Sequence, residues 1–62
     1  METIIMTEHE FGQRKWEVVV DDNGILWEKY YEYYRDRGWK QIGEAERISK
    51  SYFEEMYDVE EV

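Results

Sequence analysis

The chain has 62 residues and carries sixteen Asp and Glu against eight Lys and Arg, a formal net charge of −8 at pH 7. Excess like charge opposes compaction, and it disfavours binding to bare nucleic acid or to an anionic membrane. The chain contains no cysteine, which excludes disulfides and cysteine-ligated metal sites. We therefore expect one small domain, residues 1–62, whose charge favours basic partners.

The core has to be built from large side chains, because a domain of this length lies near the lower limit for folding on a hydrophobic core alone. Two Phe, three Trp and six Tyr are present, and each aromatic ring can bury roughly 150–250 Å². No apolar run approaches the roughly 20 residues of a membrane span, and no basic-then-apolar signal pattern opens the chain. We expect a cytoplasmic protein (host cytoplasm if the protein is viral) without membrane attachment.

Strands are predicted, in chain order, over residues 2–11, 15–21, 25–35 and 39–48, and a helix over about 50–60. The clearest strand is Trp16 to Asp21. Asn23-Gly24 follows it and predicts a two-residue hairpin turn. Asp36-Arg37-Gly38 predicts a second, three-residue turn.

The helix is predicted to begin at Ser49 or Ser51. Ser51 with Glu54 three residues later matches a capping box, in which each side chain bonds the backbone of the other residue.

Residues 25–35 admit two interpretations. Trp27, Tyr30, Tyr31 and Tyr34 follow the i, i+3, i+4, i+7 spacing of an amphipathic helix. The aromatic enrichment and the turn signals at both ends favour a strand. The two predicted turns support the strand, because together they divide the side chains between two consistent sheet faces.

In that register Val20 faces Trp27, Val18 faces Lys29 and Trp16 faces Tyr31. The second turn places Arg35 opposite Trp39. If the first strand pairs with Phe11 opposite Trp16, Glu10 lies opposite Glu17, and Glu8 and Glu10 join the acidic face. An aromatic face then collects all three tryptophans, and an acidic face lies opposite. The helix is expected to lay Tyr52, Phe53, Met56 and Val59 on the aromatic face. The predicted fold class is α+β: a four-stranded antiparallel β-meander with one C-terminal α-helix packed on one face.

No catalytic, metal-binding or cofactor-binding motif is present. His9 stands beside Glu10, but no Ser, Cys or second His is placed to complete a site. Asp21-Asp22-Asn23-Gly24 begins like a calcium loop, yet its spacing is compressed and the later ligand positions hold Trp27 and Tyr30. We predict a protein that is not an enzyme, with no cofactor and no metal.

The acidic face is the strongest functional hypothesis. Acids two apart on a strand lie about 6.6 Å from one another, which is comparable to the phosphate spacing along a nucleic-acid strand. Tyrosine supplies contact area at interfaces at low entropic cost. The predicted partner-binding residues are Glu17, Glu28, Glu32, Glu44 and Glu46 for charge, with Tyr30 and Tyr34 as contact anchors.

In composition (very small, acidic, tyrosine-rich and without cysteine) the chain is similar to small phage-encoded inhibitors, including nucleic-acid-mimicking anti-CRISPR and anti-restriction proteins. This resemblance covers no aligned residues, so it transfers no functional residue. We expect a non-enzymatic inhibitor that occupies a basic surface of a nucleic-acid-binding protein without contacting nucleic acid itself. The alternative is a small structural or self-associating domain with a solvated acidic face, because a core this small gains from forming a homodimer.

Overall fold

The computed structural model describes residues 1–58. Its elements are β1 (Thr3–Glu10), β2 (Arg14–Val20), β3 (Leu26–Tyr34), β4 (Gly38–Gln41), β5 (Glu46–Ile48) and α1 (Lys50–Met56). Strands β1 to β4 form an antiparallel meander, and β5 pairs antiparallel with β3 beside β4. The predicted α+β class, with a meander and one C-terminal helix, is confirmed.

The segment of uncertain type is a strand, since β3 runs without interruption from Leu26 to Tyr34. The strand predicted over residues 39–48 is instead divided into β4 and β5. Gly43 adopts a left-handed φ of 76° between them, a conformation that glycine accepts without steric cost. The break is partial, because the Ile42 amide still donates to the Tyr30 carbonyl at 2.8 Å.

The predicted register between β2 and β3 is wrong by one residue. Val20 lies opposite Leu26, Val18 opposite Glu28, and Trp16 opposite Tyr30. Because side chains alternate between faces, this single step moves every β3 side chain to the other face relative to β2.

The cause lies in the turn after β2. The Asp21 amide donates to the Ile25 carbonyl, and the Gly24 amide donates to the Asp21 carbonyl, both at 3.0 Å. The Asp21 carboxylate also accepts from the amides of Asn23 and Ile25 at 2.8 and 3.0 Å. These bonds close a three-residue loop, Asp22 to Gly24, in place of the predicted two-residue turn, and Gly24 takes the left-handed position with φ 78°.

The other two registers also differ from the prediction. Tyr33 lies opposite Trp39, a shift of two residues that leaves the faces of β3 and β4 unchanged. Glu8 lies opposite Trp16 and Glu10 opposite Arg14, a shift of three residues. The predicted opposition of Glu10 and Glu17 is therefore wrong, and Glu10 faces a base.

The sheet has two chemically different faces, which we name the helix-side face and the open face. The helix-side face carries Met6, Glu8, Glu10, Arg14, Trp16, Val18, Leu26, Glu28, Tyr30, Glu32, Tyr34, Lys40, Glu46 and Ile48. The open face carries Ile4, Thr7, His9, Lys15, Glu17, Val19, Trp27, Lys29, Tyr31, Tyr33, Trp39, Gln41 and Arg47. The predicted gathering of the three tryptophans under the helix is wrong, because Trp27 and Trp39 lie on the open face.

Helix α1 begins at Ser49, whose hydroxyl accepts from the Tyr52 amide at 3.0 Å, so the capping box predicted at Ser51 is wrong. Tyr57, which caps the other end, is buried. Of the predicted contact residues, Phe53 is half-buried, while Tyr52 and Met56 are exposed. The helix predicted over about 50–60 is shorter than expected and ends at Met56, because Tyr57 and Asp58 leave the helical conformation, Asp58 with a φ of 49°. Val59 lies outside the described residues.

The core is small, with Val18 and Val19 the only strand residues fully buried among residues 1–58. Val18 lies on the helix-side face and Val19 on the open face. Lys29 bonds Glu2 there at 2.8 Å, and Lys15 lies 4.9 Å from the centroid of the Tyr31 ring. Within the described residues no helix has the length and apolar character to cross a membrane.

Candidate interaction surface

The acidic residues of the sheet are concentrated on the helix-side face. Two bases, Arg14 and Lys40, share this face with five carboxylates: Glu8 and Glu10 on β1, Glu28 and Glu32 on β3, and Glu46 on β5. We name these five residues the carboxylate cluster. On the open face the balance is reversed, because the three bases Lys15, Lys29 and Arg47 accompany Glu17 alone, with Glu2 bonded to Lys29 just before β1.

Glu28 is the most constrained member of the carboxylate cluster. It lies directly opposite Glu46 on β5, and like charges in directly opposed positions destabilise a sheet. The Tyr57 hydroxyl donates to the Glu28 carboxylate at 2.6 Å, which ties the end of α1 to the sheet. Burial raises the pKa of the Tyr57 phenol well above its usual range, and the bond to Glu28 raises it further. The phenol is therefore a permanent donor at neutral pH.

Glu32 is held in place by two tyrosines on its own strand. The Tyr30 hydroxyl donates to one carboxylate oxygen at 2.9 Å, and the Tyr34 hydroxyl donates to the other at 3.1 Å. Desolvation, followed by the bond to Glu32, raises the pKa of Tyr30, while the bond itself is the main cause of the raised pKa of Tyr34. Both phenols stay protonated, so they fix the direction of the Glu32 charge.

The ring of Tyr30 is supported from the neighbouring strand. It stacks at a tilt against Trp16, with ring centroids 5.1 Å apart, because the two residues are directly opposed across β2 and β3. Tyr30 is half-buried, whereas Tyr34 at the end of β3 is 40% exposed. Tyr34 is therefore the tyrosine of this face with more surface to offer a partner.

The two acids of β1 complete the cluster at its outer edge. Glu8 is exposed, and Glu10 is half-buried with an Arg14 nitrogen 3.8 Å from its carboxylate. An exposed ion pair at this distance contributes little to stability. Both carboxylates consequently remain accessible to a cationic partner.

Five of the seven predicted partner-binding residues share the helix-side face: Glu28, Tyr30, Glu32, Tyr34 and Glu46. Glu17 does not, since it lies on the open face, where it accepts from the Tyr31 hydroxyl at 3.4 Å and lies 3.9 Å from Lys15. Glu44 is exposed in the segment between β4 and β5, outside the cluster.

Sequence reasoning placed Glu8 and Glu10 with the predicted acidic residues only through a register that proved wrong. Their place in the cluster follows from the observed register of β1, in which Glu10 lies opposite Arg14. The opposite charges of these two residues on either side of the first turn are the sequence signal that could have indicated this register.

An open apolar groove of about 790 Å³ lies between the start of α1 and the turn after β2. Its apolar walls are Ile5, Ile25, Leu26, Ile48 and Phe53. This groove was not predictable from the sequence, because it depends on where α1 crosses the sheet and on the bulge that turns Ile5 toward the helix side.

Across residues 1–58, no group of three or more His, Cys, Asp or Glu side chains is arranged to hold a metal ion. His9 lies on the open face, where its ring meets Trp39 edge-on with centroids 5.6 Å apart. The chemistry that this surface offers is charge and tyrosine contact.

Comparison with known proteins found no match to any family model, any curated protein or any solved structure.

Proposed function

We propose that the protein is a non-enzymatic acidic inhibitor whose helix-side face occupies a basic surface on a nucleic-acid-binding protein, in the manner of a nucleic-acid mimic. The observation that supports this proposal is the carboxylate cluster, in which five acids from three strands share one face with two bases. Such a role belongs in the cytoplasm, where nucleic-acid-handling partners are found, and it needs neither a cofactor nor direct contact with nucleic acid.

The spacing of the cluster suits this role. Acids two residues apart on a strand, such as Glu8 and Glu10, lie about 6.6 Å apart along it. Neighbouring strands lie about 4.8 Å apart, so the cluster repeats negative charge in two directions. A basic groove that binds the regular phosphates of nucleic acid meets a comparable array of anions here.

The energetics of the cluster also favour a binding role. The opposed Glu28 and Glu46 destabilise the isolated sheet, and a cationic partner would relieve that repulsion. Glu32 is already oriented by Tyr30 and Tyr34, so it loses less conformational entropy on binding. Exposed Tyr34 then provides a contact anchor beside an aligned charge.

The experiment is affinity capture from the native host lysate at low and high salt, with identification of the eluted protein. We expect a nucleic-acid-handling protein that is retained at low salt and released at high salt, since charge complementarity is screened by ions. Capture of only proteins whose retention is independent of salt would contradict the proposal.

Two variants with the same net charge separate a specific face from general acidity. The first carries Glu8→Gln, Glu10→Gln and Glu32→Gln on the helix-side face. The control carries three exposed acids neutralised elsewhere: Asp22→Asn, Asp36→Asn and Glu44→Gln. We expect the first to weaken partner binding by about tenfold or more and the control to weaken it far less. Equal losses in both variants would show that net charge alone acts.

The alternative function, a small self-associating domain, is favoured by a different observation. Among the described strands, β1 lies at one edge of the sheet and pairs with β2 alone. Its other side is therefore available to pair with a strand of a second copy.

A further inference from the structure

The two margins of the sheet differ in how well they are protected against pairing with another strand. One margin consists of β4 and β5, which have 4 and 3 residues and carry Lys40 and Arg47. The other margin is β1, which has 8 residues without Lys, Arg or Pro. Short strands and Lys side chains are common protection of a sheet edge; β1 has neither, and its protection is limited to one bulge and to acids near its C-terminal end. Its Ile4 and Ile5 side chains are 58% and 43% exposed.

The register identifies which backbone groups of β1 point outward. The Asp21 amide bonds across the hairpin to Ile25, so β2 residues of the open face direct their backbone groups toward β3. Alternation then directs those of Trp16 and Val18 toward β1. In an antiparallel pair, two opposed residues either both direct their amides and carbonyls toward the neighbouring strand or both direct them away from it. Glu8 and Met6 accordingly bond β2, whereas Ile4, Thr7 and His9 direct their amides and carbonyls away from the sheet.

A bulge makes this outer edge complementary to itself. The pairing of β1 with β2 shifts between Ile4 and Met6, which leaves Ile5 as the extra residue. Residues whose backbone groups point outward are therefore three positions apart across the bulge, from Ile4 to Thr7, and two positions apart elsewhere, as from Thr7 to His9. When a second β1 is aligned antiparallel about the midpoint of Ile5 and Met6, Ile4 lies opposite Thr7 of the second copy.

The side chains agree with that alignment. Ile4 and Thr7 both lie on the open face, and Thr3 and Glu8 both lie on the helix-side face, so the two sheets continue without changing sides. One step further, Glu2 lies opposite His9 of the second copy, which places a carboxylate beside an imidazole. An unbulged strand with alternating outward groups would not allow an axis at this midpoint.

We propose that β1 pairs antiparallel with β1 of a second copy of this chain, about a twofold axis between Ile5 and Met6. Each pair of Ile4 and Thr7 exchanges two main-chain hydrogen bonds in this arrangement. The dimer covers the exposed edge of β1, and oligomerisation is one way in which a chain with so small a hydrophobic core gains stability. The twofold axis is perpendicular to the sheet, so both carboxylate clusters lie on the same side.

The test is sedimentation equilibrium of the full chain from micromolar to millimolar concentration, with variants at Thr7. Thr7→Pro removes an outward amide without removing a bond to β2, because proline is tolerated where the amide of an edge strand faces solvent. Thr7→Val keeps the amide and is the matched control. We expect the wild type and Thr7→Val to dimerise alike, and Thr7→Pro to raise the dimer dissociation constant about tenfold or more.

A second variant covers the case in which Thr7→Pro unfolds, as judged by circular dichroism. Ile4→Lys places a base in the exposed edge, opposite Thr7 of the second copy, and should also weaken the dimer. A wild-type chain that stays monomeric at millimolar concentration would overturn the proposal, as would a folded variant of either kind that dimerises as well as the wild type.

Amide hydrogen exchange locates the interface independently of the variants. The amides of Ile4, Thr7 and His9 should become protected only at concentrations where the dimer forms. Concentration-dependent protection along β4 and β5 instead would contradict pairing through β1.

Salt separates this proposal from the proposed function. Each chain carries a net charge of −8, so screening should strengthen the dimer while it weakens binding to a basic partner. A dimer without a basic partner, or a basic partner without a dimer, would leave one proposal standing and remove the other.

Discussion

Glu28 combines an unfavourable position with a favourable bond. It lies opposite Glu46 across the sheet, and it accepts a hydrogen bond of 2.6 Å from the hydroxyl of buried Tyr57. A hydrogen bond to a charged acceptor that is partly shielded from water is stronger than one between neutral groups. The interaction therefore offsets part of the local repulsion and fixes the end of α1 on the sheet.

We predict that removal of the Tyr57 hydroxyl destabilises the fold. Tyr57→Phe should lower the free energy of unfolding by about 1–2 kcal/mol, because Glu28 loses its charge-assisted donor while the ring packing is kept. Urea denaturation measures the change. Tyr52→Phe is the control, since the Tyr52 side chain is 40% exposed and its hydroxyl forms no hydrogen bond with the described residues.

We also predict that the stability difference between the wild type and Tyr57→Phe depends on pH. Folding raises the pKa of Tyr57 above that of a free phenol, so its contribution is complete below about pH 10 and is lost as the pH rises further. The stability difference between the wild type and Tyr57→Phe should be constant near neutrality and decrease above about pH 10. A difference that grew in alkali would contradict the assignment.

At the scale of elements, helix α1 depends on its cap because it has only 7 residues. So short a helix is marginal on its own and needs both capping and tertiary contacts. Ser49 satisfies the Tyr52 amide, while Phe53 and Tyr57 provide the contacts.

Because Ser49 caps α1, we predict that loss of its side chain destabilises the fold more than loss of the Ser51 side chain. Ser49→Ala should cost about 1 kcal/mol of unfolding free energy, which is typical for loss of an N-cap side chain. Ser51→Ala should change it by only a few tenths of a kcal/mol, because Ser51 lies inside the helix and is exposed. Thermal or urea unfolding of the two variants measures the difference. The reverse order would support the capping box that the sequence suggested.

Apart from the division of the last strand into β4 and β5, the order and type of the elements followed from the sequence, whereas their register did not. Alternating aromatic and charged residues and two turn signals were sufficient to identify β2, β3 and their connection. The register depended on whether Asn23-Gly24 forms a two-residue turn, and the Asp21 carboxylate decides this by bonding the amides of Asn23 and Ile25. Asp21 was visible in the sequence, but two turn lengths were compatible with it.

The candidate surface was predictable to the same extent. Glu28, Tyr30, Glu32 and Tyr34 alternate along one strand, so their shared face was fixed whatever the register. The face on which Glu17 lies relative to Glu28 and Glu32 depends on the register between β2 and β3. An error of one residue in that register placed Glu17 on the wrong face. The division of the last strand at Gly43, which removed Glu44 from the surface, had no local signal stronger than a single glycine.

For the whole molecule, unbalanced charge limits stability. The net charge of −8 acts on a structure with only three buried apolar side chains among residues 1–58. Self-repulsion of this kind is screened as the Debye length falls from about 30 Å at 0.01 M salt to about 3 Å at 1 M.

We therefore predict that sodium chloride stabilises the fold. The free energy of unfolding should rise by an amount on the order of 1 kcal/mol over that range of salt. Urea titrations at each salt concentration, at a protein concentration below dimer formation, measure it as a shift of the midpoint with an unchanged slope. A decrease with salt would show that ion pairs such as Lys29–Glu2 outweigh the repulsion.

The unequal charge of the two sheet faces gives the molecule an electric dipole moment perpendicular to the sheet. In the field of a positively charged body the protein experiences a torque that turns the helix side forward. This rotation acts over about one screening length, roughly 8 Å in physiological salt. Reorientation toward the helix side would thus begin before any atoms touch.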